Sequence, residues 1–282
     1  VDTLFRWTRN NGVSFRFGTT FTDFVLVNNK ITGIEVKTAA GVLKLDCRAL
    51  VACTGGCSYP GTGSTGDVFP KLTQLGHITT PLLPALVPLE TAGYRAKQLQ
   101  GLSLKNIDAS VWFNGKKQAS EFGELLFTAH GLSGPVILTL SRIVVEALED
   151  NKQVTVSIDL KPALDDHKLD KRLLRDLDEH GKKKMANIFR MWLPAKMIPV
   201  FLEIIGIDPD MEGHQLSAGE RKKIRLLMKN FEFRVSKHRG FKEAIITAGG
   251  ISCDELESKT TRSKLHSNLF LAGELLELYG NT

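Results

Sequence analysis

The feature that most constrains the fold is an apolar run that leads directly into a glycine-rich stretch. Residues 48–53 read RALVAC, and residues 54–67 read TGGCSYPGTGSTGD. An apolar run of this length predicts a strand buried on both faces, as in a parallel sheet. Three of the following glycines, Gly61, Gly63 and Gly66, match the dinucleotide-binding pattern G-x-G-x-x-G letter for letter.

The position of these glycines argues against a primary phosphate loop. Such a loop follows its strand at once and opens a helix, so that the pyrophosphate meets free N–H groups. Here the strand ends at Cys53, and Pro60 precedes the first glycine of the pattern. The pattern also needs an acidic residue farther along the chain, at the end of a second strand. Glu90 lies at about that distance from Gly66, but it follows three prolines instead of ending a strand. The stretch fits better as a later turn of a flavin-binding fold, where a backbone without Cβ atoms can approach the ring closely.

Periodicity along the rest of the chain predicts β, then α, then β structure. An N-terminal helix and a strand over 13–17 come first, followed by an antiparallel meander with strands at 22–27, 31–37 and 42–45. A helix over 67–75 is followed by three closely spaced prolines, which predict a domain boundary. Residues 89–160 indicate strands interrupted by one helix over 135–149, residues 165–231 indicate helices, and strands return at 233–246 and 268–274.

Composition indicates a globular chain without a membrane span. Of the 282 residues, 42% are hydrophobic and 24% are charged, and Pro, Lys or Glu interrupts every long apolar run. No export signal is visible, which favours a cytoplasmic location. The four cysteines form no C-x-x-C pair and the histidines are scattered, so we predict no metal site. Cys53 and Cys57 bracket two glycines; a redox dithiol is the less favoured interpretation of that pair.

The positive charge is concentrated in the predicted helical region. Residues 161–242 hold 19 Lys and Arg against 12 Asp and Glu, which accounts for the whole net charge of +6. A basic face can attract phosphate-rich partners such as RNA. The commoner explanation is that these side chains form the solvated faces of helices, and we favour it.

Several stretches together resemble a known family. They are ALVACTGGCSYPGTGSTGD (49–67), GELLFTAHGLSGP (123–135), FKEAIITAGGI (241–251) and LFLAGELL (269–276). In order and spacing the chain resembles the BaiN/RdsA-type family of NAD(P)/FAD-dependent oxidoreductases, which includes aminoacetone oxidase-like flavoproteins. The resemblance spans nearly the whole chain.

The resemblance implies a split α/β and β architecture. A partial FAD-binding domain of the glutathione-reductase type would occupy 1–81, which includes the β-meander, and 251–282. An inserted β-barrel would occupy 82–160, a helical subdomain 161–231, and the returning barrel strand 232–250. The resemblance also implies a fragment that lacks the N-terminal FAD phosphate loop and the C-terminal end beyond Gly280, and that is inactive by itself.

The resemblance assigns cofactor contacts residue by residue. The backbone of Thr54, Gly55 and Gly56 would line the FAD, and Gly273 and Glu274 would hold its ribityl and pyrophosphate edge. The loop with Gly63, Thr65 and Gly66 would lie beside the flavin ring. Phe21 would contact adenine through its main chain.

The catalytic residues are unknown at this stage, and two are candidates. Tyr59 lies on the loop expected beside the flavin, where it could donate a proton. His130 is displaced by one position, because the family usually has His directly after Thr and Ala129 stands there instead. An ordinary loop histidine is an equally good interpretation of His130. Asp67 is more readily explained as a helix cap than as a catalytic acid.

The expected function is FAD-dependent oxidoreduction, with NAD(P)H as the electron donor. Hydride would pass to an activated C=C or C=O bond in a small molecule or in a base of ribosomal RNA, or it would pass to O2. The alternative is an RNA-binding or interaction module that keeps the flavin fold as a scaffold. No DNA or membrane partner is expected.

Overall fold

The structure is a computed structural model that describes residues 1–278, and it divides into two units. The α/β unit comprises Val1–Gly56, Gly66–Pro81 and Gly249–Leu278. The barrel unit comprises Cys57–Thr65 and Leu82–Ala248. Gly280, where the resemblance implied a truncated end, lies outside the described residues.

Most of the predicted strands and helices are present in the predicted order along the described chain. The strands are β1 (Thr20–Val27), β2 (Lys30–Thr38), β3 (Gly41–Asp46), β4 (Leu50–Ala52), β5 (Leu83–Ala85), β6 (Leu89–Thr91), β7 (Ser103–Phe113), β8 (Lys116–Phe127), β9 (Gly131–Ser133), β10 (Val154–Asp159), β11 (Phe231–His238), β12 (Ile246–Ala248) and β13 (Leu269–Leu271). The helices are α1 (Asp2–Asn10), α2 (Val68–Gln74), α3 (Arg95–Gln98), α4 (Pro135–Glu149), α5 (Asp166–His180), α6 (Met185–Trp192), α7 (Ile198–Ile205) and α8 (Ala218–Lys229).

The α/β unit contains the predicted meander, in which β1, β2 and β3 pair antiparallel in that order. Asn28 and Asn29 turn the chain between β1 and β2 with φ angles of 51° and 61°, which asparagine tolerates better than most residues. Gly33 of β2 must be glycine, because a Cβ atom there would lie 2.5 Å from the carbonyl oxygen of Leu45. Local turn chemistry and one close backbone approach therefore set the register of this sheet.

A second sheet of the α/β unit is a short parallel pair. β4 pairs with β13, and Ala52 lies opposite Leu271. Leu269, Leu271 and Ala52 are buried, whereas Val51 is 61% exposed. The prediction of burial on both faces is therefore wrong for this strand, because alternate side chains leave one face of the pair exposed.

The predicted strand over 13–17 is also wrong. These residues have no strand partner within the described chain. The rings of Phe15 and Phe17 instead contact Phe5 of α1, with centroid distances of 4.5 and 5.9 Å. Apolar residues do alternate here, but their side chains pack against a helix, and no strand of the described chain forms backbone hydrogen bonds with them.

The barrel unit is organised around a closed barrel of six strands in the order β10-β11-β6-β9-β8-β7. Val154, Val156 and Ile158 of β10 are buried at alternate positions, as a barrel interior requires. α4 begins with a proline at its first turn and buries Val136, Ile137 and Leu140 among its core residues. Closure leaves the barrel strands without open edges.

Four helices, α5 to α8, interrupt the chain between β10 and β11. Leu169, Leu173 and Leu177 of α5 are buried as their spacing predicts, whereas Leu226 of α8 is 43% exposed. α8 begins with a capping box between Ser217 and the residue three positions later. The buried side chains of the helical insertion belong to the same apolar core as those of the barrel.

The predicted return strand over 233–246 is two separate strands. β11 ends at His238 and β12 begins at Ile246. Gly240 interrupts them with a φ of 69°, and Arg239 pairs with Glu90 of β6 and with Glu243 of the turn. β12 then pairs with β5 outside the barrel. The local pair of Arg239 with Glu243 and its long-range pair with Glu90, which local periodicity does not show, accompany the end of the strand.

Candidate functional site

Two predicted cofactor segments meet at the carboxyl ends of β4 and β13. Because these strands are parallel and in register, the segments that follow them emerge at the same edge. One is Thr54-Gly55-Gly56 and the other is Gly273-Glu274. The amide of Gly56 donates a hydrogen bond to Oε2 of Glu274 at 3.3 Å. Residues 218 positions apart are thus joined at the edge where ligands of α/β sheets commonly bind.

The glycines of this edge have conformations that other residues rarely adopt. Gly55 has a φ of 76° and Gly273 a φ of 78°. A Cβ atom built on Gly273 would meet no heavy atom within 4 Å, so glycine is required there by the backbone and not by crowding. The space in front of Gly273 is open and can accept a ligand.

The turn that enters α2 lies in the same α/β unit. Gly66 has a φ of 77°, and its carbonyl oxygen accepts the amide of Phe69 at 3.1 Å. Asp67 occupies the N-cap position, but its side chain makes no capping hydrogen bond, so the predicted cap is wrong. Phe21 lies on β1 of the meander, where its ring packs against the ring of Phe24 at a centroid distance of 4.8 Å. Its predicted adenine contact stays a prediction.

The loop that carries Tyr59 belongs to the barrel unit and is anchored to β12. The hydroxyl of Thr247 accepts hydrogen bonds from the amides of Cys57 at 2.8 Å and Ser58 at 3.1 Å, and it also bonds the Ser58 hydroxyl. Tyr59 follows with a φ of 54° and a side chain that is 51% exposed. A strained backbone beside a buried anchor is common at functional sites. Sequence analysis missed Thr247, although it lies within the FKEAIITAGGI stretch.

Gly63 and Thr65 lie on the same loop. Gly63 has a φ of 102°, and its carbonyl oxygen accepts the amide of Thr65 at 3.1 Å. A short 3-10 helix over Pro60–Thr62 separates Gly63 from Tyr59. The loop is therefore an irregular turn followed by a 3-10 turn, which agrees with the expectation that G-x-G-x-x-G is not a tight strand-to-helix loop here.

His130 lies on the tight connection between β8 and β9. Its side chain is exposed, and its amide donates to the hydroxyl of Thr128 at 3.3 Å. Among the described residues no hydrogen bond joins His130 to Tyr59, and no cluster of His, Cys, Asp or Glu could hold a metal ion. A catalytic role for His130 stays a prediction.

A buried network in the α/β unit, which sequence analysis missed, has the connectivity of a Ser-His-acid triad. His77 lies 3.0 Å from Glu255 through Nδ1 and 3.0 Å from the Ser263 hydroxyl through Nε2. The Ser263 oxygen also accepts the amides of Leu265 and His266, which occupies its lone pairs. The Ser263 proton then points to His77, and a buried hydroxyl with saturated acceptors is a poor nucleophile. The network joins the C-terminal end of α2 to the segment before β13.

Two basic clusters in the helical insertion, residues 182–184 and 221–223, are partly neutralised. Lys184 bonds Asp210 at 2.7 Å, and this hydrogen bond raises the pKa of Lys184. Arg221 of α8 pairs with Asp170 of α5 at 3.2 Å. The remaining lysines of the two clusters are exposed and have no ion pair in the described part of the chain; they are Lys182, Lys183, Lys222 and Lys223. Within residues 1–278 no helix is both long and apolar enough to cross a membrane.

Comparison with known families identifies the barrel unit. The description "HI0933-like protein barrel and H2TH domain" matches residues 83–246, more than half of the chain. The chain belongs to this family. Together with the strand order of the barrel, the match confirms the predicted fold class of an α/β unit with an inserted β-barrel that carries a helical subdomain.

The names of two curated relatives of this chain describe enzymatic reactions. A 3-dehydro-bile acid delta(4,6)-reductase of Clostridium scindens is 27% identical over 235 residues, 83% of this chain and 56% of the relative. A ribosomal RNA dihydrouridine synthase of Haemophilus influenzae is 28% identical over 234 residues, 83% of this chain and 55% of the relative. The chain thus spans about half the length of the curated relatives that it matches.

Proposed function

We propose that the protein is an FAD-dependent oxidoreductase. The observation that carries the proposal is the glycine turn 54–56 beside Gly273 and Glu274, at the carboxyl ends of two parallel strands. Membership of the HI0933-like family supports it, as does the name of a relative that is a reductase.

The residues at this edge fit the ribityl side of a flavin. Open space in front of Gly273 admits a ligand, and the amide of Gly56 fixes the Glu274 carboxylate through one of its oxygens. A carboxylate can accept several hydrogen bonds at once, so Glu274 can hold its turn and accept from a ribityl hydroxyl. When bound, FAD would supply the hydride-transfer chemistry.

Tyr59 is the proposed proton donor. Its phenolic oxygen would deliver a proton to the substrate atom that does not receive hydride, which is general acid catalysis. The anchor at Thr247 would limit the positions that the Tyr59 ring can occupy. His130 is the alternative donor.

The electron donor and the substrate are part of the same proposal. NAD(P)H would supply the electrons, and an activated C=C or C=O bond would accept them. A small molecule and a base in ribosomal RNA are both proposed substrates, since the relatives include a bile acid reductase and a ribosomal RNA dihydrouridine synthase. A cytoplasmic location stays a prediction.

A visible absorption spectrum after gel filtration with FAD tests the cofactor. It should be recorded for the 282-residue chain and for the complete open reading frame that encodes it, each with Glu274→Gln and Glu35→Gln variants. Glu35 is an exposed acid of β2 and serves as the control. Loss of a hydrogen bond to a charged group should weaken FAD binding by roughly tenfold in Glu274→Gln and leave Glu35→Gln unchanged. If no protein retains a flavin band, the FAD proposal fails.

A second candidate function is an RNA-binding or interaction module. The four exposed lysines on the turn before α6 and on α8 favour it. Binding of a ribosomal RNA fragment should weaken steeply between 50 and 200 mM salt, by roughly tenfold or more for a few phosphate contacts. Affinity that does not change over that range would rule out the RNA version of both functions.

A further inference from the structure

A pocket of about 650 Å³ lies in the barrel unit, outside every segment assigned above. It opens between β7, β8 and the segment that links β10 to α5. Pockets that bind small molecules commonly measure about 300–1,000 Å³. Its lining combines three cationic side chains, an amide, an aromatic ring and aliphatic groups; these include Lys105, Asn106, Phe122, Lys161, Leu164 and Arg172.

One wall of the pocket is a β-bulge. Leu104 pairs with Leu125 and Ile107 pairs with Gly123, so two residues of β7 stand opposite one residue of β8. The two are Lys105 and Asn106, and Asn106 has a φ of 54°. Bulges redirect side chains and recur beside functional sites.

The opposite wall is held rigidly by a buried ammonium group. Nζ of Lys229 lies 2.5 Å from Oδ2 of Asp159. It also donates to the carbonyl oxygens of Leu164 at 2.8 Å and Lys161 at 3.3 Å. The other Asp159 oxygen accepts the amide of Lys161 at 2.8 Å. The wall is therefore formed before any ligand binds, which reduces the ordering cost of binding.

The pocket has an excess of positive charge. Lys161 is half-buried and has no ion pair in the described part of the chain. Burial, and then the positive charge of Arg172, lower the pKa of Lys161. Lys105 pairs with Glu124 at 3.4 Å, and Arg172 pairs with Asp176 at 3.8 Å, an acid that it shares with Arg175 at 2.9 Å. An anion placed between Lys161 and Arg172 would relieve their repulsion.

The ring of Phe122 adds a second requirement. It lines the pocket and is 61% exposed, so one face of the ring is open to a ligand. Exposed aromatic rings beside a basic groove are the usual platforms on which nucleobases stack. Lys and Arg bind phosphate, and Arg does so through two parallel hydrogen bonds.

We propose that this pocket binds a nucleoside phosphate, with the phosphate on Lys161 and Arg172 and the base on the ring of Phe122. The same chemistry is presented by a nucleotide of single-stranded RNA and by a free nucleotide. The inference uses residues of the barrel unit alone, so it does not depend on the FAD proposal.

Calorimetric titration of the 282-residue chain tests the site with defined probes. The probes are UMP, AMP, uridine, adenosine, inorganic phosphate and single-stranded hexamers of uridylate and adenylate. At least one mononucleotide should bind about tenfold more tightly than its nucleoside and than inorganic phosphate, because each of those lacks one of the two contacts. Tighter binding of a hexamer identifies RNA as the source, and binding no tighter than the mononucleotide identifies a free nucleotide.

Three variants assign the contacts. Lys161→Gln should weaken mononucleotide and phosphate binding together, by about tenfold. Phe122→Ala should weaken mononucleotide binding by about tenfold and leave inorganic phosphate unchanged. Lys97→Gln removes the same charge from an exposed position of α3, outside the pocket and the basic clusters, and should change neither.

The proposal fails on either of two results. One is that neither mononucleotide nor either hexamer binds more tightly than nucleoside and phosphate. The other is that Phe122→Ala, or a folded Lys161→Gln, binds the mononucleotide as tightly as wild type does. Because Phe122 is a surface side chain, its variant keeps the test decisive even where Lys161→Gln does not fold.

Discussion

Replacing Lys229 by methionine would test whether one buried ammonium organises the junction between the barrel and its helical insertion. Methionine keeps the length and the apolar stem of the side chain and removes only the charge and the donors. The Lys229 side chain is 16% exposed and the Asp159 side chain is 21% exposed, so the pair is largely removed from water. The change leaves the carbonyls of Lys161 and Leu164 without this donor.

The expected loss follows from these contacts. Removal of one partner from a buried ion pair costs about 3–5 kcal/mol, since the other charge stays behind. Water can reach part of this site, and the Asp159 carboxylate keeps its bond from the Lys161 amide. We therefore expect the lower end, about 3 kcal/mol in the free energy of unfolding. In a domain of this size that loss lowers the melting temperature by about 6–12 °C.

Urea unfolding followed by tryptophan fluorescence would measure this change. Trp112 and Trp192 lie in the barrel unit and Trp7 lies in the α/β unit, so every variant should carry Trp7→Phe to confine the signal to the barrel unit. Lys223→Met, at an exposed position of the same helix, is the matched control and should change stability by less than about 0.5 kcal/mol. Adding Asp159→Asn to Lys229→Met should recover part of the loss.

Two results would refute this reasoning. A loss below about 1 kcal/mol would mean that water replaces the ammonium and that the wall of the pocket is not held by it. A double variant no more stable than Lys229→Met would mean that the unpaired carboxylate is not the source of the loss. Double-variant cycles isolate such pairwise energies when each change removes the contact without creating another.

Three further predictions concern other contacts. Burial by itself would raise the pKa of Asp176, but hydrogen bonds, first of all that from Trp192, lower this pKa overall. The ionised Asp176 therefore stabilises the folded protein fully above about pH 4, the pKa of an unfolded Asp. That stabilisation is lost as the pH falls through the lower pKa of the folded protein. The stability difference between wild type and Asp176→Asn should shrink below about pH 4 in urea titrations, and a constant difference down to pH 2 would contradict it. Thr247→Val should speed hydrogen exchange at the amide of Ser58 without changing exchange in the barrel strands, and equal protection would disprove the anchor. His77→Leu removes the acceptor of the Ser263 proton and the ring donor to Glu255, and should lower the free energy of unfolding by about 2–3 kcal/mol, seen as a lower melting temperature. An unchanged melting temperature would argue against a structural network.

Local patterns predicted much of the fold because they depend on neighbours in sequence. The two asparagines between β1 and β2, the proline that opens α4 and the leucine spacing of α5 each specify one element. The family resemblance, and not a local pattern, assigned the glycine turn 54–56 and the Gly273-Glu274 tip to the cofactor. The parallel pairing of β4 with β13 then places the two segments together.

Other features depend on residues far apart and could not be predicted from local patterns. The strand that begins at Phe231 ends at His238, where the ion pairs of Arg239 intervene. Thr247 anchors a loop 190 positions earlier, through a hydroxyl that no spacing singles out. His77 gained its role only from partners near position 260.

The sequence by itself determined most of the order of elements and the family resemblance. The tertiary structure alone decided which side chains became neighbours. Lys161 and Phe122 belong to different parts of the sequence, and only the bulge in β7 and the pinned segment before α5 bring them to one pocket. The physical reason is that secondary structure responds to neighbours within a few residues, whereas binding sites depend on burial and charge contributed by distant segments.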